Sequence, residues 1–223
     1  KRRFATNIVG KMFNTISNKK LAVLGAVSFF TLIRHATQPH SDTRTTRATI
    51  TRTTNFCFRE NMEMDDRWCL IHCTQMTPDE TVRLARTHAV AGLCPITESS
   101  LGDGIFDGVC WLENNGAIAI GSDSNIRIAL AEELRTLDYS QRLRDHSRAA
   151  LATQDKSTGR RLFEAVLAGG AQATTRNTGA LAVGNWADML CLDMSCVHTA
   201  GHSGDTVLDA WIFAGDDRLV TDV

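Results

Sequence analysis

The sequence predicts an α/β fold in which a parallel sheet is covered by helices. Three observations carry this. From about residue 61, short apolar runs alternate with helical patterns. Each run is apolar at nearly every position rather than every second one, the mark of a strand buried on both faces. Each run also gives out at a polar residue, and folds of this class build their sites at the carboxyl ends of strands.

The elements follow in order. RWCLIHCT (67–74) reads as a strand, on which Cys69, Ile71 and Cys73 face one way and Leu70 and His72 the other. That alternation separates both thiols from His72 and argues against their sharing a metal. TPDETVRLAR opens a helix: Thr77 caps it, Pro78 suits its first position and Glu80 completes a capping box. AVAGLCP (89–95) is the second strand, and TESSLGDG a polar, glycine-bearing loop. IFDGVCWLENNG (105–116) is a helix stopped by Asn115-Gly116, and AIAIGSDS the third strand. IRIALAEELRTLDYSQRL (126–143) is a helix, and STGRRLFEAVLAGGAQA (157–173) another, capped by Ser157. AGGAQA lacks the Lys-Ser/Thr of a phosphate loop and reads as a close helix-packing site. After residue 178 the pattern turns β-like: GALAVGNWADMLCLDM (179–194) and VLDAWIFAGDDRLVTDV (207–223) read as strands of a second, smaller module.

Composition bounds the rest. The chain has 223 residues and a net charge of −1, which suits one domain and part of a second and gives no sign of a nucleic-acid partner. The charge is uneven: residues 1–60 carry a net +9 and the remainder −10. Residues 41–54 are biased, with seven threonines interspersed with arginine. The seven cysteines form no CxxC, and the odd number points to reduced, mostly buried thiols in the cytoplasm. The apolar run Leu21–Ile33 is shorter than the ~20 residues a membrane helix needs and reads as a buried strand or core helix.

The candidate site residues are those where strands run out: His72, the pair Thr97 and Glu98, and Asp123. An aspartate at a strand terminus, two or three strands from a histidine, can hold zinc or serve with it as acid and base. Other local readings stay open. Asp123 could cap a helix starting near Ile126, His72 could be a satisfied core histidine, and Glu98 could be a solvated loop residue. His88, His146, His198 and His202 have no assigned role.

From Asn61 to Val223 the sequence resembles the C-terminal part of the amidohydrolase superfamily, and within it the formimidoylglutamate deiminase family. The combination CP-x-T-E-x-x-LGDGIF followed by GSDS and AEELR carries the closer likeness. The resemblance implies the C-terminal part of a (β/α)8 TIM barrel, at 61–178, plus part of a small β-sandwich domain, at 179–223, with residues 1–60 unassigned. It implies zinc-dependent deimination of N-formimidoyl-L-glutamate to N-formyl-L-glutamate and ammonia. Asp123 would ligate zinc and take the proton of the attacking water. His72 would hold the substrate or the transition state, and Thr97 and Glu98 would line the pocket. His35 would be a metal ligand from an earlier strand. The sequence contains no HxH metal pair, and the match stops near Glu60, so an incomplete copy of the enzyme is expected. The expected partner is a small-molecule substrate, with no nucleic acid and no membrane, and a possible homodimer. Two alternatives remain: another superfamily hydrolase acting on a cyclic C–N substrate, and a catalytically dead fragment.

Overall fold

A computed structural model describes residues 64–223, apart from Ile126, together with the backbone of residues 20–24. Four strands, β1 (Lys20–Leu24), β2 (Trp68–His72), β3 (Val90–Leu93) and β4 (Ala117–Ile120), form a sheet in the order β1-β2-β3-β4, every pair parallel. Every residue of β2 and β3 is buried, and all of β4 beyond Ala117, as apolar runs without alternation require. Of the run 21–33 only Leu21–Leu24 is described. His35, Cys57 and the biased stretch 41–54 lie outside the described residues.

Helices connect the strands. α1 (Pro78–Ala85) carries the expected capping box: the Glu80 N–H donates to Thr77 Oγ1, and the Thr77 N–H donates to the Glu80 carboxylate at 2.8 Å. α2 (Pro95–Leu101) stands where a loop was expected. Pro95 supplies a ready-made first helical position, and Gly102, at φ 71°, ends the helix in the left-handed region. α3 (Gly108–Glu113) is shorter than the pattern suggested because Asp107 caps it, its side chain accepting from the Cys110 N–H. α4 (Leu130–Asp145) begins four residues after Ile126, and α5 (Thr158–Thr174) is capped by Ser157 as expected.

Two faces of the sheet build two cores. Trp68, Leu70, Ala91, Leu93, Ile118 and Ile120 pack under the helices, while Cys69, Ile71, Val90 and Ala119 line the opposite, narrower face with Ala173. Helix α5 lies directly on β4. A Cβ added to Gly169 would sit 1.9 Å from Ile118 O, whereas one added to Gly170 would meet nothing within 4 Å. The close-packing reading of AGGAQA therefore comes down to one glycine.

The C-terminal region departs from the β-rich expectation. Within 179–194 only β5 (Cys191–Leu192) is strand, and it pairs antiparallel with β6 (Val220–Asp222). Residues 205–214 are helical: α6 (Asp205–Asp209) runs into a π-helical turn at Ala210–Ala214. The reason is tertiary. Trp211 and Ile212 are fully buried, Trp211 meets Phe163 of α5 edge-on at 5.8 Å, and Asp209 accepts the Gly159 N–H at 2.7 Å. An apolar run of this length suits either helix or strand, and the surface offered by α5 decides it. Among the described residues no helix is long and apolar enough to cross a membrane, and the six described cysteines are free. Cys191 is exposed, against the expectation for its apolar run.

Candidate functional site

The site begins with the way β2 ends. The Cys73 N–H donates to Ile71 O at 3.0 Å, closing a three-residue turn with His72 at its centre at φ 69°. This is the rare, strained hand of the γ-turn. Non-glycine residues held in such regions cost about 1–3 kcal/mol each and persist where the surroundings over-determine them. The turn breaks the alternation expected from the sequence. Cys73, itself at φ 55°, joins the core with Leu70, its Sγ donating to Leu70 O at 3.6 Å. His72 is left buried at the rim of the sheet.

Thr97 and Glu98 occupy the first turn of α2, and both are buried, which excludes the solvated-loop reading of Glu98. Glu98 Oε1 stands 3.1 Å from His72 Nδ1 and accepts the Cys94 N–H at 2.8 Å. The Thr97 hydroxyl donates to Ser122 O at 3.0 Å. One helical turn thus grips both the histidine and the loop that carries the aspartate.

Asp123 follows β4, also in the left-handed region at φ 48°. The Gly121 N–H still donates to Leu93 O at 2.9 Å, so the sheet directs the chain up to two residues before it. Asp123 Oδ2 lies 3.7 Å from His72 Nε2, and its side chain is 31% exposed. It does not cap a helix. The N–H groups of Leu130 and Ala131, which open α4, donate instead to Asp217, at 2.6 and 3.1 Å. His72, Glu98 and Asp123 therefore meet in a row across the ends of β2, β3 and β4.

The local charge is acidic. Burial works against a charged His72, but the hydrogen bond and charge of Glu98, then Asp123 and Asp103, outweigh it and raise the imidazole above its usual value. Burial, with Glu98, Asp123 and Glu133 adding to it, pushes the Cys94 thiol far up, so it is protonated. Burial also drives Glu133 of α4 up to about 8, with Glu98, Glu132 and Asp123 adding to the effect.

A zinc ion takes nitrogen and oxygen donors at roughly 2.0–2.2 Å and thiolate at about 2.3 Å, which puts donors of one tetrahedral site roughly 3.3–3.8 Å apart. The 3.7 Å between His72 Nε2 and Asp123 Oδ2 meets that spacing, and Cys94 completes a trio whose donor atoms lie within 4.8 Å of one another. The chemistry fits zinc at Asp123, whose carboxylate is an oxygen donor; His72, its charged form favoured, would stand beside the ion as a hydrogen-bond donor rather than as a ligand. Cys94 is the weakest of the three donors, because its thiol would have to give up its proton in acidic surroundings.

Three residues at this rim went unmarked in the sequence. Cys94 and Asp103 stand beside marked motifs, and Asp103 is buried near His72. Glu133 had a legible signal. It falls in the stripe Leu130, Leu134, Leu137 at helical spacing, where an apolar residue belongs, and it is 2% exposed.

Residues 32–223 match the model of the amidohydrolase family. The chain is 50% identical over 165 residues, 74% of its length, to a formimidoylglutamate deiminase of Pseudomonas aeruginosa, of which this covers 36%. An amidohydrolase from Brucella melitensis superposes with a TM-score of 0.67 at 42% identity, covering 71% of this chain and 35% of that one. An adenosine deaminase from Xanthomonas campestris, solved with bound zinc, superposes with a TM-score of 0.62 at 26% identity, covering 71% and 36%. The chain thus spans about a third of the length of these relatives. Its parallel strands are strands of a TIM-barrel-type α/β fold, with polar residues gathered at their carboxyl ends. On its sequence, its fold and the placing of these residues, the chain belongs to the amidohydrolase family.

Proposed function

We propose that this chain carries part of the active site of a zinc-dependent hydrolase that releases ammonia from N-formimidoyl-L-glutamate, leaving N-formyl-L-glutamate. The observation that carries the reading is the row Glu98–His72–Asp123 across three successive strand ends, in a sequence 50% identical to a formimidoylglutamate deiminase. Asp123, with His35 as a further ligand, would hold the zinc. Bound there, the ion supplies an activated water by lowering its pKa towards ~7.

The chain's own residues do the rest. Asp123, partly open to solvent, accepts the proton of the attacking water. His72, held at Nδ1 by Glu98 and with its charged form favoured by its acidic neighbours, directs Nε2–H at the reacting group and steadies charge developing there. A proton passes to the departing nitrogen, which leaves as ammonia. Thr97 and Glu98 position these groups, since their polar atoms already serve Ser122 O, His72 and the Cys94 N–H. On the same reading residues 61–178 are the C-terminal half of the barrel. Residues 179–223, with the β5–β6 pair, are part of a small β-sandwich domain. The reduced thiols suit the cytoplasm, and homodimerisation is the assembly to test.

The test is zinc content of the purified chain, followed by ammonia release from N-formimidoyl-L-glutamate beside adenosine and a triazine. Release from the first alone, abolished in D123N, is the expected result. A zinc-loaded chain that spares formimidoylglutamate and deaminates a cyclic substrate would overturn the substrate. A chain that takes up no zinc would overturn the site.

A further inference from the structure

The first turn of α2 holds both His72 and the Asp123 loop, so whatever fixes that turn fixes the site. Its own capping residue, Cys94, makes no side-chain cap. Pro95 has no N–H, and the half-buried Ile96 N–H has no acceptor in its own helix. The acceptor comes from 37 residues away: the Ile96 N–H donates to Glu133 Oε2 at 2.8 Å. Two residues on, Glu98 Oε1 meets His72 Nδ1, and the Thr97 hydroxyl meets Ser122 O.

Glu133 is otherwise badly placed. It is 2% exposed, and its Oε1 has no hydrogen-bond partner among the described residues. A carboxylate with one oxygen stranded in the core is costly. A leucine in its place would extend the apolar stripe of α4 and remove that cost. The residue is explained by the bond it makes. The acceptor is anchored on α4, a sixteen-residue helix packed against α2 and β4, whereas α2 has only seven residues.

We propose that Glu133 is a positioning residue: by accepting the Ile96 N–H it sets the first turn of α2 at the height from which Glu98 grips His72. Its significance for catalysis rests on the deiminase reading, but the contact itself does not. The burial that favours a proton on Glu133 agrees with the stranded Oε1 and makes glutamine its close mimic.

The test uses the metal-free chain labelled with 15N-histidine and 15N-tryptophan and reads the Nδ1–H proton of His72, assigned by its loss in H72Q as the Trp111 indole signal is by its loss in W111F. The Trp111 indole N–H, which donates to Ala117 O at 2.9 Å, reports the fold in the same spectra. In E133Q both signals stay as in the native chain. In E133M, which fills the space and offers no oxygen acceptor, the His72 proton exchanges about tenfold faster with water, and Trp111 does not move. E133A serves as a second variant if E133M disturbs Trp111. An unchanged His72 proton in E133M or E133A overturns the proposal, and so does its loss in E133Q with Trp111 native. Loss of the Trp111 signal in both E133M and E133A also overturns it, by making Glu133 a residue of the fold as a whole. Neither metal nor substrate enters the measurement, so an inactive chain with the expected spectra would sink the deiminase reading and leave this one standing.

Discussion

Trp111 and Trp186 stand in two regions that follow different rules. Trp111 is fully buried beneath the sheet, its indole N–H bonded to Ala117 O and its ring met edge-on by Phe106 at 5.6 Å. Trp186 is 62% exposed, with Arg176 over its ring at 5.0 Å. In the same stretch of sequence Leu181, Val183, Met189 and Val197 are exposed as well. Residues 68–174 alternate strand and helix, so every apolar run finds a cover within the next thirty or so residues. Residues 176–204 have one short strand and no helix among the described residues: Leu190, Leu192 and Cys196 still pack against the core, but the other large apolar side chains of the stretch have no such cover. Apolar content alone does not make a core; the periodicity that lets elements stack does.

The largest expected effect tests this directly. Trp111→Ala should cost about 3–5 kcal/mol, while Trp186→Ala should cost about 1 kcal/mol or less, the worth of one exposed ring contact. Urea midpoints of the two variants measure the gap. Similar losses would show that 176–204 is as well packed as the barrel strands.

Two adjacent glycines sharpen the comparison within α5. Gly169→Ala drives a methyl into Ile118 O and should lose about 1–3 kcal/mol or more. Gly170→Ala faces open space and should gain up to about 1 kcal/mol from helix propensity. Thermal melts of the pair decide it. Equal shifts would mean that α5 does not lie on β4 as described.

Next comes the contact that ties the C-terminal segment, beyond both regions, to α4. Asp217, from the C-terminal segment, accepts the Leu130 and Ala131 N–H groups at the start of α4. Removing it in D217A should cost about 1–2 kcal/mol, as for a lost helix cap, with D217N recovering part. An unaffected urea midpoint in D217A would uncouple the segment from α4.

A further effect is graded with pH. Glu133 is raised from an ordinary value of 4.5 to about 8, so the folded chain holds a proton there that the unfolded chain releases. That stability is complete below pH 4.5 and is lost as pH rises towards 8. His72, raised above 6.5, acts in the same direction as pH passes through its folded value. The urea midpoint should therefore fall between pH 5 and 8, and fall less in E133Q. Parallel pH profiles for the two chains would show that Glu133 ionises normally in the fold.

The sequence by itself determined the parallel α/β layout, because strands buried on both faces cannot alternate and helices between them must cover both sides. It also determined the caps at Thr77 and Ser157, since such caps are closed within one helical turn. It marked His72, Thr97, Glu98 and Asp123, since chain order alone brings the ends of neighbouring parallel strands together. Only the tertiary structure decided what those residues touch. The γ-turn at His72 reverses the expected side of Cys73, α2 turns a polar loop into the clamp on His72, and the cap of α4 comes from Asp217 rather than Asp123. It likewise decided that 205–214 is helix, on the surface of α5, and that Glu133 turns inward. The physical reason is common to all of these. A capping box is satisfied by neighbours in sequence, but a buried N–H or carboxyl at the rim is satisfied from across the fold, and no local pattern records which distant residue will supply the bond.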